Sequence, residues 1–426
     1  MKIEEIYQCY LQCTSVNTDT RRIENNSLFI ALKGENFDAN TFAEEAISKG
    51  ALFVIIDDKK HHTDKDKMIL VSNSLQTLQE LAKHHRQQLG LPIIALTGSN
   101  GKTTTKELIN VVLSKKYNTK ATIGNLNNHI GVPLTLLSFN EDTDIGIVEM
   151  GANHQKEIEL LCSITEPDFG YITNFGKAHL EGFGGIEGVI KAKSELYHYL
   201  EENKKTAFVN FDDDIQNEKT AQIARYSFSQ KAKNDVTIDS VTANPMVKIN
   251  YNHIEIQSHL IGLYNANNIN AAITIGKYFN ISDIDIKEAI ENYIPTNNRS
   301  QLIEKNSNHI ILDAYNANPS SMTAAISNFI QIEAKEKIAV LGDMFELGKE
   351  SLIEHAKVIQ LLENTDIETF FVGKDFFTSK IEKANLHFFD TFESFEKNFQ
   401  TVNPKNLTIL IKGSRGMALE RTLEII

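Results

Sequence analysis

The segment from Ile93 to Thr104 constrains the fold more tightly than any other part of this 426-residue chain. Ile93 to Leu96 have the length and apolar character of a buried strand, and an amphipathic helix is expected to begin near Thr103. Between them lies a loop that contains Gly98 and Gly101. Glycines let backbone N–H groups approach phosphate oxygens, and a helix N-terminus adds partial positive charge. The segment therefore predicts a phosphate-binding loop between a strand and a helix.

The same loop carries the side chains that a nucleotide site needs. Lys102 would reach the outer phosphates of ATP, and Thr103 would offer its hydroxyl to Mg²⁺. The competing interpretation is a plain strand-turn-helix with a surface lysine, which the Gly-Lys-Thr-Thr string in this setting disfavours. The ATP-binding residues expected in the loop are Gly98, Ser99, Asn100, Gly101, Lys102, Thr103 and Thr104.

Further metal ligands are expected where neighbouring strands end, because parallel sheets form their ligand crevice at the carboxyl ends of strands. Glu149 ends the apolar segment 144–149 and would face the loop. His179 follows the next expected strand, Tyr171 to Asn174. Mg²⁺ prefers oxygen ligands, so a lone histidine is weak evidence by itself. Its place beside the loop makes His179 a second candidate ligand.

The order of strands and helices predicts an α/β protein of three domains. We expect a central P-loop domain with a parallel sheet at 89–296. An N-terminal α/β substrate domain at 1–88 and a C-terminal Rossmann-like α/β domain at 297–426 would flank it. Gly90 to Pro92 is the expected first linker, and Pro295 to Arg299 is the expected second boundary.

Residues 205–260 are more β-rich than the rest of the central region. Three short segments there have the composition of strands: Val236 to Ile238, Val247 to Ile249 and Ile254 to Ile256. We expect them to be antiparallel strands added to the main sheet.

Composition excludes several classes of partner. The formal net charge of −13 repels nucleic acid and anionic lipid, so neither is an expected partner. No apolar run approaches the roughly 20 residues of a membrane span, and the acidic N-terminus lacks the basic start of a signal peptide. Three cysteines are too few for a disulfide framework. We expect a cytoplasmic protein without membrane insertion that acts as a monomer.

The glycine spacing departs from the general P-loop pattern, because two residues rather than four separate the glycines. The string from Thr97 to Thr104 resembles the loop of the Mur ligase family, and the resemblance extends over nearly the whole chain. That family activates a carboxylate as an acyl phosphate with ATP and Mg²⁺ and couples it to an amine. The resemblance also implies that Lys193 is carbamylated and that its carbamate oxygens position a second Mg²⁺. The implied catalytic residues are Lys102, His179 and Lys193, and the implied metal ligands are Thr103, Glu149, His179 and Lys193.

The resemblance places further residues around the nucleotide. Asn265 and Asn268 match the family's Gly-x-His-Asn-x-x-Asn motif near the adenine, with Tyr264 in place of the histidine. It also implies that Arg299 contacts the ATP phosphates and that Asp313 holds the ribose.

Within the family, the motifs are most similar to the member that adds D-Ala-D-Ala to UDP-MurNAc-tripeptide. The string Asp313 to Met322 carries this similarity in the third domain. Asn318 there is expected to cap a helix that starts at Pro319, and free N–H groups of that helix would bind the dipeptide carboxylate. The implied substrate-binding residues are Asp19, Thr20, Arg21, Asn125, Asn128, Asn316 and Asn318.

Two alternatives remain at this point. The preceding ligase of the pathway, which adds the third amino acid, carries an Asp-Asn-Pro-Arg motif that this sequence lacks. A P-loop NTPase that acts as a switch would hydrolyse ATP without co-substrates, and the glycine spacing argues against it.

Overall fold

The first part of the chain is a four-stranded parallel sheet covered by helices. The structure is a computed structural model that describes residues 1–296, 298–402 and 404–426. The elements of this part are α1 (Ile3–Tyr10), β1 (Val16–Asn17), β2 (Ser27–Ile30), β3 (Lys33–Gly34), β4 (Phe37–Asp38), α2 (Ala43–Ser48), β5 (Ala51–Ile56), β6 (Met68–Leu70) and α3 (Ser74–Leu89). The sheet has the order β1-β2-β5-β6, and β3 and β4 form a separate antiparallel hairpin. Helix α3 ends where Gly90 takes a left-handed conformation.

The central part is built on a seven-stranded sheet in which every observed pairing is parallel. Its strands are β7 (Ile93–Thr97), β8 (Thr119–Ala121), β9 (Ile145–Glu149), β10 (Phe169–Ile172), β11 (Thr206–Asn210), β12 (Ala224–Ser229) and β13 (Val236–Thr237). The helices are α4 (Lys102–Leu113), α5 (Gly131–Leu137), α6 (Glu157–Thr165), α7 (Leu180–Phe183), α8 (Ile186–Lys193), α9 (Glu195–Glu202), α10 (Asp214–Lys219), α11 (Ala266–Tyr278) and α12 (Asp283–Asn292).

The strand order of this sheet, β13-β12-β11-β10-β7-β9-β8, places a switch in direction at β7. The chain builds β8 and β9 on one side of β7 and then continues with β10 on the other side. Ligands of open α/β sheets bind at such a point, beyond the carboxyl ends of the strands. The loop from Gly98 to Gly101 follows β7 and therefore lies at this switch.

The prediction that segments 236–238, 247–249 and 254–256 are antiparallel strands added to the main sheet is only partly right. Val236–Thr237 does pair with β12, in parallel. Strands β14 (Ser240–Ala243), β15 (Met246–Tyr251) and β16 (Ile254–Ile261) instead form a separate antiparallel sheet. In β15, buried residues alternate with partly exposed ones, so one face of this sheet is apolar and has to pack against other elements. That face packs with α11 and α12.

The third part is a six-stranded sheet of order β17-β18-β22-β19-β20-β21, in which only the pairing of β17 with β18 is antiparallel. Its elements are β17 (Gln301–Lys305), β18 (Asn308–Asp313), α13 (Pro319–Gln331), β19 (Lys337–Gly342), α14 (Ser351–Leu362), β20 (Glu368–Val372), α15 (Lys374–Thr378), β21 (Leu386–Phe389), α16 (Phe392–Phe399) and β22 (Thr408–Lys412). Residue 297, where the third domain was predicted to begin, lies outside the described residues.

The α/β fold class with a central parallel sheet and a third, Rossmann-like sheet is confirmed. Short 3-10 turns connect the elements at Thr20–Arg22, Ala39–Phe42, Lys59–His61, Leu263–Asn265, Gly348–Glu350, Arg415–Met417 and Leu419–Ile425. Over the described part of the chain, no helix combines the length and the apolar character that crossing a membrane requires.

Candidate active site

The two glycines of the phosphate-binding loop lie very close to neighbouring segments of the chain. Gly98 has a φ of 141°, and a Cβ there would lie 2.0 Å from Oγ1 of Thr173, just beyond β10. Gly101 has a φ of 79°, and its Cβ would lie 2.5 Å from Oδ1 of Asn268 on α11. Both positions therefore exclude any larger residue, by conformation and by space.

Lys102 and Thr103 begin α4 directly after this loop. The Lys102 ammonium donates to the carbonyl oxygen of Gly98 at 2.8 Å, so the side chain folds back over the loop. Burial lowers the pKa of Lys102, and the nearby Glu149 carboxylate opposes this shift. The Thr103 hydroxyl donates to Oε2 of Glu149 at 2.8 Å. The two residues predicted to share a metal thus lie in direct contact and are buried.

The asparagine-rich loop after β8 supplies the other partner of Glu149. Nδ2 of Asn127 donates to Oε1 of Glu149 at 2.8 Å. Asn127 was not among the predicted site residues, although its two predicted neighbours were. Oδ1 of Asn128 accepts from the backbone N–H of Gly131 at the start of α5, whereas Asn125 lines the cavity described below.

Asn265 and Asn268 are bonded to each other behind the loop. Nδ2 of Asn268 donates to Oδ1 of Asn265 at 2.8 Å, and Nδ2 of Asn265 donates to the carbonyl oxygen of Ile261. Tyr264 points its hydroxyl to the Ser300 hydroxyl at 2.9 Å, which links the central and third parts. Burial raises the pKa of Tyr264 above its ordinary value.

Residues 174–181, which we call the histidine loop, lie beside the phosphate-binding loop. The Ser99 hydroxyl donates to the carbonyl oxygen of Gly176 at 2.7 Å. His179 has a φ of 51°, and its Nδ1 contacts the carboxylate of Glu346 from the third part of the chain. Burial lowers the pKa of His179, while the Glu346 carboxylate acts in the opposite direction.

Lys193 and Lys191, two residues apart on α8, have different environments. Lys193 is 1% exposed, and its Nζ donates to the carbonyl oxygen of Ala152 at 3.1 Å. Lys191 is exposed. Burial lowers the pKa of Lys193 well below its ordinary value, and the positive charge of Lys102 lowers it further. The geometry therefore favours the neutral amine at Lys193.

The third part contributes charged residues at the ends of β18 and β22, which are neighbouring strands. The Lys412 ammonium donates to Oδ2 of Asp313 at 2.6 Å, and both side chains are largely buried. The Arg299 guanidinium lies 3.7 Å from the centre of the Tyr315 ring, and the Arg415 guanidinium lies 5.7 Å from the same ring.

Asn318 caps α13 as predicted. Its Oδ1 accepts from the backbone N–H of Ser321 at 2.9 Å, and its Nδ2 donates to Oδ1 of Asn100 in the phosphate-binding loop at 2.7 Å. Pro319 has no N–H, so among the described residues Pro319 to Ser321 only Ser320 keeps an amide for a ligand. Asn318 is therefore both a cap and a link between the two parts.

These residues surround one cavity of about 900 Å³ between the central and third parts. Of the predicted residues, the cavity is lined by Ser99, Asn100, Gly101, Lys102, Thr103, Thr104, Asn125, Asn128, Glu149, His179, Asn265, Asn268, Arg299, Asp313, Asn316 and Asn318. Gly98 and Lys193 are not among the residues that line it. Lining residues that the sequence analysis did not select include Asn127, Tyr315 and Lys412.

A second cavity of about 220 Å³ adjoins the first, because His179, Asn316 and Asn318 line both. Its other walls include Glu346 and Arg415. The second cavity thus brings together the acidic Glu346, the basic Arg415 and the amide side chains of Asn316 and Asn318.

Asp19, Thr20 and Arg21 lie in the first part of the chain and do not line the large cavity. Oδ1 of Asp19 accepts from the backbone N–H of Arg21, and the Arg21 guanidinium pairs with the same carboxylate. The hydrogen bonds from Arg21 lower the pKa of Asp19 to about 2. The three residues form a turn in which Asp19 and Thr20 are half-buried and Arg21 is exposed, apart from the large cavity.

The chain matches three domain models of one family. The model described as "Mur ligase family, catalytic domain" matches residues 12–86, "Mur ligase middle domain" matches 96–276, and "Mur ligase, glutamate ligase domain" matches 298–415.

Relatives of known name and structure match over nearly the full length. The UDP-N-acetylmuramoyl-tripeptide--D-alanyl-D-alanine ligase of Bacillus subtilis is 35% identical, covering 96% of this chain and 92% of that protein. MurF from Acinetobacter baumannii is 31% identical with a TM-score of 0.87, covering 99% of this chain and 97% of that one. MurF from Thermotoga maritima in complex with ADP is 26% identical with a TM-score of 0.84, covering 98% and 97%. With its three matching domain models and these relatives, the chain belongs to the Mur ligase family.

Proposed function

We propose that the chain is an ATP-dependent ligase that joins D-Ala-D-Ala to UDP-MurNAc-tripeptide and forms UDP-MurNAc-pentapeptide, ADP and phosphate. The reaction is a step of peptidoglycan precursor synthesis. The observation that carries the proposal is the cavity in which the phosphate-binding loop faces the segment from Asp313 to Ser321. The Bacillus subtilis relative, whose name states this substrate pair, supports the choice of substrates.

ATP would lie in the large cavity with its outer phosphates on the loop from Gly98 to Thr104. Lys102 would give up its hydrogen bond to the Gly98 carbonyl oxygen and donate to a phosphate oxygen instead. Asn265 and Asn268 would meet the adenine, Arg299 the phosphates and Asp313 the ribose. The ADP complex of the Thermotoga maritima relative supports a nucleotide in this fold.

The donors beside the loop fit Mg²⁺. The Thr103 hydroxyl and the Glu149 carboxylate are oxygen donors at the cavity wall, 2.8 Å apart. Mg²⁺ commonly binds through one or two carboxylates, substrate phosphates and water, so a small set of protein ligands is sufficient. Bound there, it would neutralise charge on the phosphates during transfer.

His179 and Lys193 would hold a second Mg²⁺. A histidine ligand usually gives its other ring N–H to a carboxylate, and the contact of His179 Nδ1 with Glu346 supplies one. As an ammonium, Lys193 would repel a cation. Reaction of its neutral amine with CO₂ would release a proton and give a carbamate, whose oxygens can face a metal. The low pKa of the buried amine supports this modification.

The tripeptide carboxylate has to be activated before an amine can attack it, because a carboxylate has no good leaving group. A carboxylate oxygen of the tripeptide would attack the γ-phosphorus, and the bond to the β,γ-bridging oxygen would break to release ADP. The dipeptide amine would then attack the acyl carbon and lose a proton, and phosphate would leave. Lys102 would stabilise the charge that develops on the transferred group. The third domain, which lies over the cavity, would keep water from the acyl phosphate.

The second cavity suits the dipeptide. An arginine binds a carboxylate with two parallel hydrogen bonds, and Arg415 lines this cavity together with Asn316 and Asn318. The Glu346 carboxylate, which also lines this cavity and contacts His179, would attract the dipeptide amine towards His179 and the large cavity.

The uridine nucleotide would bind the first domain, at 1–88, through Asp19, Thr20 and Arg21. Asn125 and Asn128 would meet the muramyl-peptide end. The central domain, at 89–296, would hold ATP, and the third, at 297–426, would hold the amine substrate.

We also propose that the protein works in the cytoplasm as a monomer. The net charge of −13 supports the absence of nucleic acid and anionic membrane as partners.

A phosphate-release assay tests the function. The protein is incubated with ATP, Mg²⁺ and either UDP-MurNAc-tripeptide or UDP-MurNAc-dipeptide against a panel of single amino acids and dipeptides, with parallel reactions that lack one co-substrate. We expect rapid release only with the tripeptide nucleotide and D-Ala-D-Ala together, and a pentapeptide product by mass spectrometry. Strong release with ATP alone would indicate a switch, and a reaction of UDP-MurNAc-dipeptide with a diamino acid would indicate the preceding ligase.

A further inference from the structure

The histidine loop is held on one side by the phosphate-binding loop. The Ser99 hydroxyl donates to the Gly176 carbonyl oxygen, and the backbone N–H of Asn100 donates to Oδ1 of Asn174 at 3.1 Å. A Cβ at Gly176 would lie 2.9 Å from Asn100 Nδ2 and 3.1 Å from the Ser320 hydroxyl. The two loops therefore cannot move independently without losing these bonds.

On its other side, the histidine loop is held by the third domain through Lys177. The backbone N–H of Lys177 donates to the Ser320 hydroxyl at 2.8 Å, at the start of α13. The Lys177 ammonium donates to Oε1 of Glu354, on α14, at 2.8 Å. Lys177 is two positions before His179, so these contacts fix the backbone that carries the histidine.

Glu354 has two lysine partners of different kinds. Lys357, one turn further along α14, donates to the same Oε1, also at 2.8 Å. The Glu354 side chain is 6% exposed, whereas Lys177 is 42% exposed and Lys357 is 53% exposed. The bond to Lys357 lies within one helix and survives any domain movement. The bond to Lys177 exists only while the third domain lies against the histidine loop.

We infer that Glu354 is a positioning residue that acts through Lys177, fixing the histidine loop beside the phosphate-binding loop when the third domain is docked. The inference rests on the proposed function, in which His179 belongs to the reacting site. One interdomain ion pair, between Lys177 and Glu354, thus couples the docking of the third domain to the assembly of that site. The chemical step then depends on a contact that touches no substrate.

Charge substitution tests the pair, with Lys357 as the matched control. The variants are Lys177→Glu, Glu354→Lys, the double swap of these two, and Lys357→Ala. Glu354→Gln keeps the shape of the buried side chain if Glu354→Lys does not fold. For each variant we measure kcat, the KM of ATP, the melting temperature and, by small-angle scattering with all ligands bound, the compactness of the chain.

We expect Lys177→Glu and Glu354→Lys each to lower kcat about tenfold, the usual size of coupling between contacting charges. The KM of ATP should change less than kcat, and the bound protein should be less compact. The double swap should recover most of both losses, and Lys357→Ala should remain close to the unchanged protein.

Failure of the double swap to recover kcat and compactness would overturn the inference, as would an equal loss in Lys357→Ala. A fall in melting temperature without a change in kcat would show that the pair is only structural. If the unchanged protein makes no amide from any pair of co-substrates, the proposed function fails. The scattering data alone then decide whether the pair docks the domain.

Discussion

Two lysines of α8 show how far the environment decides the chemistry of a side chain. Lys193 is almost fully buried beside the Phe183 ring, at 5.1 Å from its centre, and Lys191 is exposed. Removing an ammonium from water is costly unless it is paired, so a buried lysine favours its neutral form. Only the neutral amine reacts with CO₂.

We predict that Lys193→Ala lowers kcat by about 100-fold, the upper range for the loss of a group that supports a metal site. Lys193→Arg should be equally inactive, because arginine keeps the charge and forms no carbamate. Lys191→Ala is the control and should retain activity. Phosphate release gives the rates, and ¹³C NMR with labelled bicarbonate reports the carbamate.

Added acetate should restore part of the activity to Lys193→Ala but not to Lys193→Arg, since the alanine variant leaves space for a carboxylate. Full activity of Lys193→Ala would contradict the prediction. So would an unmodified lysine in the active, Mg²⁺-bound protein.

Individual site residues were predictable from the sequence where a motif fixes them, as at Lys102 and Thr103. Their partners were less predictable, because partners depend on how distant segments pack. Asn127 lies between two predicted asparagines, and only the structure shows that it is the one bonded to Glu149. Lys177 and Glu354 meet across 177 positions of sequence, so no local pattern connects them.

Among the elements, α13 has the clearest double role. Its N-cap, Asn318, uses one end of its amide for the helix and the other for Asn100 in the phosphate-binding loop. The start of the helix is therefore stabilised by the same side chain that joins two domains.

We predict that two substitutions at this cap separate the two roles. Asn318→Ala removes both bonds and should destabilise the helix by about 1 kcal/mol, the usual value for a lost cap. Asn318→Asp keeps an acceptor for the Ser321 N–H but loses the donor to Asn100, so it should keep stability and lose activity. Thermal unfolding and phosphate release measure the two effects. Equal stability losses in both variants would contradict the assignment of the cap.

Strands in the interior of a sheet were predictable where they are continuous apolar runs, such as Ile93 to Leu96 in β7. The edge strands β17 and β21 were not predicted. Glu304 in β17 and His387 in β21 interrupt the apolar pattern, and an edge strand needs less burial than a central one. Strands β15 and β16 were predicted but assigned to the main sheet, because composition does not specify the pairing partner, and β14 was not predicted.

At the scale of the whole molecule, α3 fixes the first domain to the central one. Arg86, which is 8% exposed, donates from Nε to the Thr165 carbonyl oxygen at 3.0 Å and from Nη2 to the Asp168 carboxylate at 2.8 Å. Lys83 on the same helix reaches Glu166 at 3.2 Å, but that pair is exposed to solvent. The first domain is thus held by a buried polar contact whose residues do not line the cavity, whereas the Asn318–Asn100 contact of the third domain lies at the cavity.

We predict that Arg86→Ala lowers the free energy of unfolding by about 3 kcal/mol, because it leaves buried acceptors without their partner. The KM of the nucleotide substrate should rise more than kcat falls, since the uridine site moves while the phosphate site stays. Lys83→Ala should cost less than about 1 kcal/mol, as expected for an exposed pair. Denaturant unfolding and steady-state kinetics provide the measurements. Equal effects of the two substitutions would contradict the role of Arg86 in holding the first domain against the central one.

The ion pair between Asp313 and Lys412 bears on how long a nucleotide stays bound. A ribose hydroxyl that binds the Asp313 carboxylate, as proposed above, would compete with the Lys412 ammonium at 2.6 Å and the Ser300 N–H at 3.2 Å, so the added bond would gain little free energy. The phosphates would then supply most of the nucleotide's residence time. ADP, which has lost one phosphate, would dissociate faster than ATP, and re-formation of the ion pair would assist its departure. With the ribose at Asp313 as proposed, the pair would therefore favour turnover over tight retention of the product.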